Sequence, residues 1–414
     1  MFYGWILLAA LSLIYFLSLG SIYYGFSVVI PEVVASMGWS RTEVSAGFSI
    51  INLMLGCAPF VADWLIRRRG SRFCIALGGA VAAVGAAVVY LCSSLPLFYL
   101  GTAVLGLGMT IQTVLPGTQL LTRWFSRRRA LAMGIFMAAS GLGGFVAAPS
   151  FAWIIAASHN WRLVFVAMAL CTLAASLLAL VSVKESPEEV GEVPDGRKAT
   201  QANAAATTVK RSRVHQTQYP WTFREALRTY PFWAIVISGA FVVIGNTIVN
   251  SQAMLHLQDQ GLSIVLSATV LGLIGLFNTG GRLLTGVLGD RYDPRYLLGA
   301  GLLVQLLGIV VLDQTTQPWI AYLFAVLFGI GYGMASVASF PLIANYFGAS
   351  SYARLFSVRS LVATALGAVG PVAAAMAHDS LHSYRPVFLG FAAIALLMVV
   401  MAITMRPPLP PTAD

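Results

Sequence analysis

The chain has 414 residues, 58% of them hydrophobic and only 10% charged, with a mean hydropathy of +0.81. A soluble globular domain carries roughly 25% charged residues, so these values exclude a soluble enzyme and identify an integral membrane protein. The net charge of +10 reports topology rather than nucleic-acid binding.

The apolar stretches can cross ~30 Å of hydrocarbon as helices, and none shows the alternating polarity of barrel strands. In chain order the predicted spans are 3–30, 43–66, 73–94, 96–122, 130–156, 161–183, 231–258, 264–288, 295–313, 317–345, 353–377 and 384–405. The first has no basic n-region and no small-residue cleavage site, and reads as a retained helix rather than a signal peptide. Cys57, Cys74, Cys92 and Cys171 fall inside spans and read as packing residues, not metal ligands or disulfides. Pro116, Pro149, Pro341 and Pro371 interrupt spans four, five, ten and eleven, either as hinges or as static packing. Lys184–Arg228 has linker composition, with Glu188-Glu189, Pro194-Asp195-Gly196 and a polar run to Thr208. The expected division is a six-helix bundle over 1–183, a linker over 184–230 and a second six-helix bundle over 231–414. The halves echo each other: Gly106-Leu107-Gly108-Met109 returns as Gly329-Ile330-Gly331-Tyr332. Two related halves are the plan of many secondary transporters, whose substrates bind near the membrane midplane.

Every second loop is basic. Arg67, Arg68, Arg69, Arg72, Arg123, Arg127, Arg128, Arg129, Arg291, Arg295, Arg354 and Arg359 share one side with the linker, against Arg41, Arg162 and Arg385 on the other. The positive-inside rule then puts both termini and the linker in the cytoplasm, with the basic clusters beside anionic lipid.

One cation fits neither surface. Arg282 lies inside the apolar run from Val265 to Leu288, where a charge costs ~2.5–3.5 kcal/mol on insertion scales. Its planar fork of donors suits a carboxylate, so Arg282 is the expected anchor of a small organic anion; a structural partner is the other reading. Asn278 lies at i−4 on the same helix face, placed to orient the guanidinium, to bond the substrate, or to join two helices. Tyr332, Gln119 and Asn250 are further expected substrate contacts. They come from a polar set, with Gln112, Asn246, Ser336 and Ser339, that interhelical hydrogen bonding also explains. His256 and Asp259, three apart at the end of the seventh span, are the candidate proton-coupling groups; an outer gate and a solvated helix end are the other readings. No phosphate-binding G-x-x-x-x-G-K-[ST] loop, His/Cys cluster or catalytic triad stands out, so no cofactor, metal or enzymatic role is expected.

Several pieces together carry a family resemblance. They are Tyr3-Gly4-Trp5, Gly38-Trp39-Ser40-Arg41-Thr42-Glu43-Val44, Trp124-Phe125-Ser126-Arg127-Arg128-Arg129-Ala130-Leu131-Ala132-Met133-Gly134, Trp161-Arg162 and Asn278-Thr279-Gly280-Gly281-Arg282. In this order the set resembles the monocarboxylate transporters and the bacterial oxalate/formate antiporters of the major facilitator superfamily. The superfamily's loop motif G-x-x-x-D-R-x-G-R is matched by Gly286-Val287-Leu288-Gly289-Asp290-Arg291, with Asp293 in place of the later glycine. Its first copy has Arg67 where the aspartate is expected, Asp63 one turn earlier, and Arg72. The resemblance implies an all-α fold of twelve transmembrane helices in two pseudo-symmetric halves, carboxylate binding at Arg282, and gating contacts at Asp290, Arg291 and Arg72. Animal members carry an aspartate one turn before the eighth-helix arginine and a lysine in the first helix; here Asn278 and Pro31 stand there.

The expected function is proton-coupled symport of a monocarboxylate of lactate or pyruvate size by alternating access. A monomer in a bacterial cytoplasmic (inner) membrane would carry it out, with the anion, the proton and membrane lipid as partners. Exchange of oxalate- and formate-type carboxylates is the alternative within transport. A dianion would favour a second buried cation, and the sequence offers none besides Arg282. A transporter-like carboxylate sensor is the alternative from another class, against which the short linker and tail count. A channel is disfavoured by the two-half plan and the lack of pore-lining charge rings.

Overall fold

The computed structural model describes residues 2–196, 214–368, 370 and 385–409, which form helices and turns with no strand. Among them, nine helical stretches are long and apolar enough to cross a membrane. Two of these are each a pair of helices joined at a glycine with left-handed φ: Gly70 (φ 83, ψ 170) and Gly348 (φ 78, ψ 174). A side chain is strained in that conformation, so glycine lets one helix end and the next begin without a loop. Separating the pairs and adding Arg385–Thr404 gives twelve. They are α1 (Tyr3–Met37), α2 (41–69), α3 (71–90), α4 (Leu95–Trp124), α5 (Arg129–Ser158), α6 (Arg162–Ser182), α7 (Tyr230–Asp259), α8 (Ile264–Gly289), α9 (Pro294–Asp313), α10 (318–347), α11 (349–367) and α12 (Arg385–Thr404). The predicted end of span eleven, Pro371 within it, and the predicted start of span twelve lie outside the described residues.

Local chemistry explains several boundaries. Ser40 and Glu43 form a reciprocal capping box at the start of α2: the Ser40 Oγ accepts from the Glu43 N–H at 3.2 Å, and the Glu43 carboxylate accepts from the Ser40 N–H at 2.7 Å. α4 breaks at Thr113 (φ −110, ψ −96), three residues before Pro116, whose missing N–H cannot bond the Gln112 carbonyl. α1 opens into wide π-type turns over Phe16–Tyr24.

The chain divides into two compact units, Met1–Arg127 with Ala139–Val209, and Arg128–Ala138 with Lys210–Asp414. Within the first, α3 and α4 meet backbone to backbone. A Cβ on Gly78 would sit 2.5 Å from the Gln112 nitrogen, one on Gly85 2.3 Å from that of Leu105, and one on Gly108 2.2 Å from that of Ala82. Within the second, α9 and α10 repeat the pattern at identical spacing, with Gly301 on Ala335, Gly308 on Phe328 and Gly331 on Gln305. Small residues are what allow membrane helices to pack this closely. The repeat heard in the sequence is therefore a repeat of contact geometry.

The two described ends of the linker are each docked. In the first unit, the Trp124 indole N–H donates to the Lys184 carbonyl (3.2 Å), and the Asp195 carboxylate accepts from the Ser126 and Arg127 N–H groups at 3.2 and 2.9 Å. In the second, the Thr217 N–H donates to the Asn345 carbonyl (2.8 Å) and Trp221, 3% exposed, packs edge-on against Phe347. Residues 197–213 between them lie outside the described residues.

Candidate functional site

Arg282 sits two turns before the end of α8, about 10 Å from it at 1.5 Å per residue. Asn278, one turn earlier, accepts from its Nε at 3.0 Å, and the Met137 carbonyl of α5 accepts from its Nη1 at 2.7 Å. Both of these acceptors are neutral, and they orient the guanidinium. The close approach of α5 has its own cause in the sequence: a Cβ on Gly134 would lie 2.7 Å from the Cα of Gly286.

α10 lies against the same stretch of α8. A Cβ on Gly333 would fall 2.2 Å from the Asn278 carbonyl and 3.0 Å from the Arg282 nitrogen, and the Thr285 hydroxyl donates to the Met334 carbonyl at 3.2 Å. Tyr332, the neighbour of Gly333, is half-buried and stacks on Phe328 at 6.3 Å. Arg282, Asn278 and Tyr332 thus belong to one local assembly of the second unit. Gln119 is in the first unit, 6% exposed, and its Oε1 has no hydrogen-bond partner among the described residues. Asn250 is exposed on α7 and makes no hydrogen bond to Arg282, Asn278 or Tyr332 among the described residues. Gln112 is internal glue: it accepts from Ser18 at 2.6 Å and donates to the Thr172 carbonyl at 3.1 Å. Ser336 and Ser339 donate to carbonyls of their own helix, Gly333 and Ser336.

His256 is 6% exposed, which sets aside the solvated helix end. Its Nε2 N–H donates to the Leu312 carbonyl at 3.1 Å, and its ring stands edge-on to Phe388. Asp259 ends α7; its side chain lies outside the described residues. At the Gly286–Arg291 motif, Asp290 accepts from the Ala130 and Leu131 N–H groups at 2.9 and 3.4 Å, satisfying donors that a helix start leaves unpaired and complementing its dipole. Arg291 is exposed and joins none of these bonds. In the first copy, Asp63 pairs with Arg67. Arg72 bonds the Leu180 carbonyl, and its N–H donates to Glu185 at 2.6 Å.

One expectation is corrected. Arg359 does not lie on a basic loop. Because Gly348 turns the chain without a loop, α11 begins at 349 rather than 353, and Arg359 stands about 15 Å along it. It is 7% exposed, its guanidinium lies 4.9 Å from the centre of the Phe340 ring, and a Cβ on Gly239 of α7 would meet its Nη2 at 3.1 Å. Its Nε has no hydrogen-bond partner, and no ion pair among the described residues includes it. The second unit therefore holds a half-buried arginine, Arg282, and a buried one, Arg359. The Met137 carbonyl was equally illegible, since a backbone acceptor has no sequence signature. The signal for Arg359 was the glycine that ends α10.

The sequence profile of the Major Facilitator Superfamily matches residues 11–348 and, again, 281–414. Monocarboxylate transporter 13 of Bos taurus is 28% identical over 269 residues, which are 64% of this chain and 57% of the relative; the aligned stretch spans little more than half that protein's length. Monocarboxylate transporter 4 of Rattus norvegicus is 25% identical over 378 residues, 88% of this chain and 74% of the relative. Among solved structures, the proton:xylose symporter XylE bound to 6-bromo-6-deoxy-D-glucose superposes with a TM-score of 0.75 at 14% identity, covering 98% of this chain and 96% of that one.

Proposed function

The chain belongs to the Major Facilitator Superfamily of transporters, and from that premise we propose that it carries small carboxylates across the membrane, first among them monocarboxylates of lactate or pyruvate size. Arg282 holds the carboxylate, Asn278 orients the guanidinium, and Tyr332 lines the site beside them; Gln119 and Asn250 contribute from their own helices. The carrier works as a proton symporter by alternating access, as a monomer in a bacterial inner membrane with both termini in the cytoplasm. The observation that carries this reading is a half-buried arginine within an apolar helix, oriented by hydrogen bonds to Asn278 and to the Met137 carbonyl. The matched monocarboxylate transporters support the substrate class.

A charge-assisted bond to a carboxylate contributes roughly 1.5–3 kcal/mol net, or about ten- to a hundredfold in affinity. Purified Arg282→Ala should lose lactate and pyruvate binding by that factor and lose transport, while still inserting. Arg282→Lys, which keeps the charge but not the planar fork, should be strongly impaired rather than silent. A titration of folded Arg282→Ala with near-native affinity would sink the assignment. Exchange of oxalate- and formate-type carboxylates stands as a second reading because Arg359, which is buried, is a second cation within the helices of this unit.

A further inference from the structure

The arginines at the junction of α2 and α3 are held in two different ways. Arg67 pairs with Asp63. Arg72 bonds the Leu180 carbonyl, and its N–H donates to Glu185. Those two are tied to acceptors of the protein itself. Arg68 and Arg69 form no hydrogen bond or ion pair among the described residues. Instead the Arg68 guanidinium lies 4.5 Å from the centre of the Trp64 ring, and that of Arg69 lies 5.7 Å from the centre of the Phe73 ring. Both arginines and both rings are exposed. Stacking engages the flat face of a guanidinium and fixes its plane, while the N–H donors around its edge stay available. A loop charge that only sets topology needs no fixed plane. The surface leading to this spot is apolar: Phe60, Val61 and Trp64 are exposed on α2, whose apolar run ends at Ile66.

We propose that Arg68 and Arg69 form a binding site for the headgroup of an anionic phospholipid, with Trp64 and Phe73 as the platforms that orient the two guanidinium groups. The planar fork of arginine matches the oxygens of a phosphodiester. The two residues are consecutive, with Cα atoms about 3.8 Å apart, so both cations stand at one level of the membrane. Phe60 and Val61, earlier on α2, offer an apolar wall to the acyl chain. A zwitterionic lipid brings its own cation and leaves the arginines uncompensated, because the nearby Asp63 carboxylate is taken by Arg67. A free phosphate brings the charge without the chain. Both arginines belong to the first unit and Arg282 to the second, so the lipid site stands apart from the carboxylate anchor.

The test is a titration of purified protein in uncharged detergent micelles with dioleoylphosphatidylglycerol, dioleoylphosphatidylcholine or glycerol phosphate, with bound lipid counted by native mass spectrometry. Phosphatidylglycerol should bind about tenfold or more tighter than either of the others. An arginine near an anionic surface contributes about fivefold, so Arg68→Gln/Arg69→Gln should weaken phosphatidylglycerol about thirtyfold and leave phosphatidylcholine unchanged. Trp64→Leu/Phe73→Leu keeps both charges and removes the platforms; it should still weaken phosphatidylglycerol severalfold. Arg224→Gln/Arg228→Gln removes the same charge from exposed positions elsewhere and should leave binding within about twofold. Equal binding of the two lipids to the native protein overturns the proposal, as does glycerol phosphate binding as tightly as phosphatidylglycerol. An equal loss in the Arg224/Arg228 variant also overturns it, since net charge alone would then hold the lipid. Native melting temperatures in the variants establish that each is folded. Arg282→Ala should bind phosphatidylglycerol as the native protein does, whatever its affinity for lactate.

Discussion

Arg282 and Arg359 differ in how their charge is held. Arg282 is oriented by an amide and a backbone carbonyl, and Arg359 by an aromatic face and a glycine gap. Neither arrangement supplies a proton group, and the eighth-helix aspartate of the resembling family is Asn278 here. The proposed proton-coupling groups are therefore Asp259 and His256 at the end of α7. His256 is buried and its Nε2 N–H donates to the Leu312 carbonyl at 3.1 Å. Asp259→Asn should slow lactate uptake driven by an inward proton gradient in proteoliposomes while leaving lactate–lactate exchange largely intact. Normal gradient-driven uptake by this variant would move the proton site elsewhere.

At the scale of elements, the site depends on how closely α8 and α10 approach. The contact at Gly333 is backbone on backbone, so a methyl group there forces the helices apart. Gly333→Ala should lower stability by about 1–3 kcal/mol, the usual range for overpacking, and should weaken lactate binding because the displaced atoms belong to Asn278 and Arg282. Gly280→Ala is the internal control: a Cβ at Gly280 meets nothing within 4 Å, and alanine is the better helix former, so melting temperature and affinity should hold or rise. Equal losses in both variants would mean that helix flexibility, rather than this contact, matters. α5 takes part through its start, where Asp290 caps Ala130 and Leu131 a few residues before the Met137 carbonyl that holds Arg282.

For the whole molecule, the proposed topology is twelve helices with both termini and the linker in the cytoplasm, argued from the partition of arginines and lysines between loops. Setting Arg359 aside leaves that partition intact, because the other basic residues keep to the same alternate loops and helix ends. In a variant lacking the native cysteines, Gln314→Cys should react with an impermeant thiol reagent from outside the cell and Ala205→Cys only after permeabilisation. The reverse pattern would discard the topology. The matching contacts of α3 with α4 and of α9 with α10 show each unit built on the same glycine register, as expected for related halves.

The amino-acid sequence by itself determined the solvent, the helical class and the doubling of the chain. Hydropathy is a property of composition, an unpaired backbone is intolerable in lipid, and a repeat is visible as spacing. It also singled out Arg282, since a charge in an apolar run needs no coordinates to be noticed, and it paired that residue with Asn278 through helical periodicity. Only the tertiary structure decided what surrounds them. That the Met137 carbonyl reaches Arg282 follows from Gly134 meeting Gly286, a contact between helices far apart in sequence. That Arg359 is buried follows from its packing on Phe340 of α10 and beside Gly239 of α7. Charge and hydropathy act locally along the chain, whereas the depth of a side chain and its partners depend on where helices end and how closely they pack.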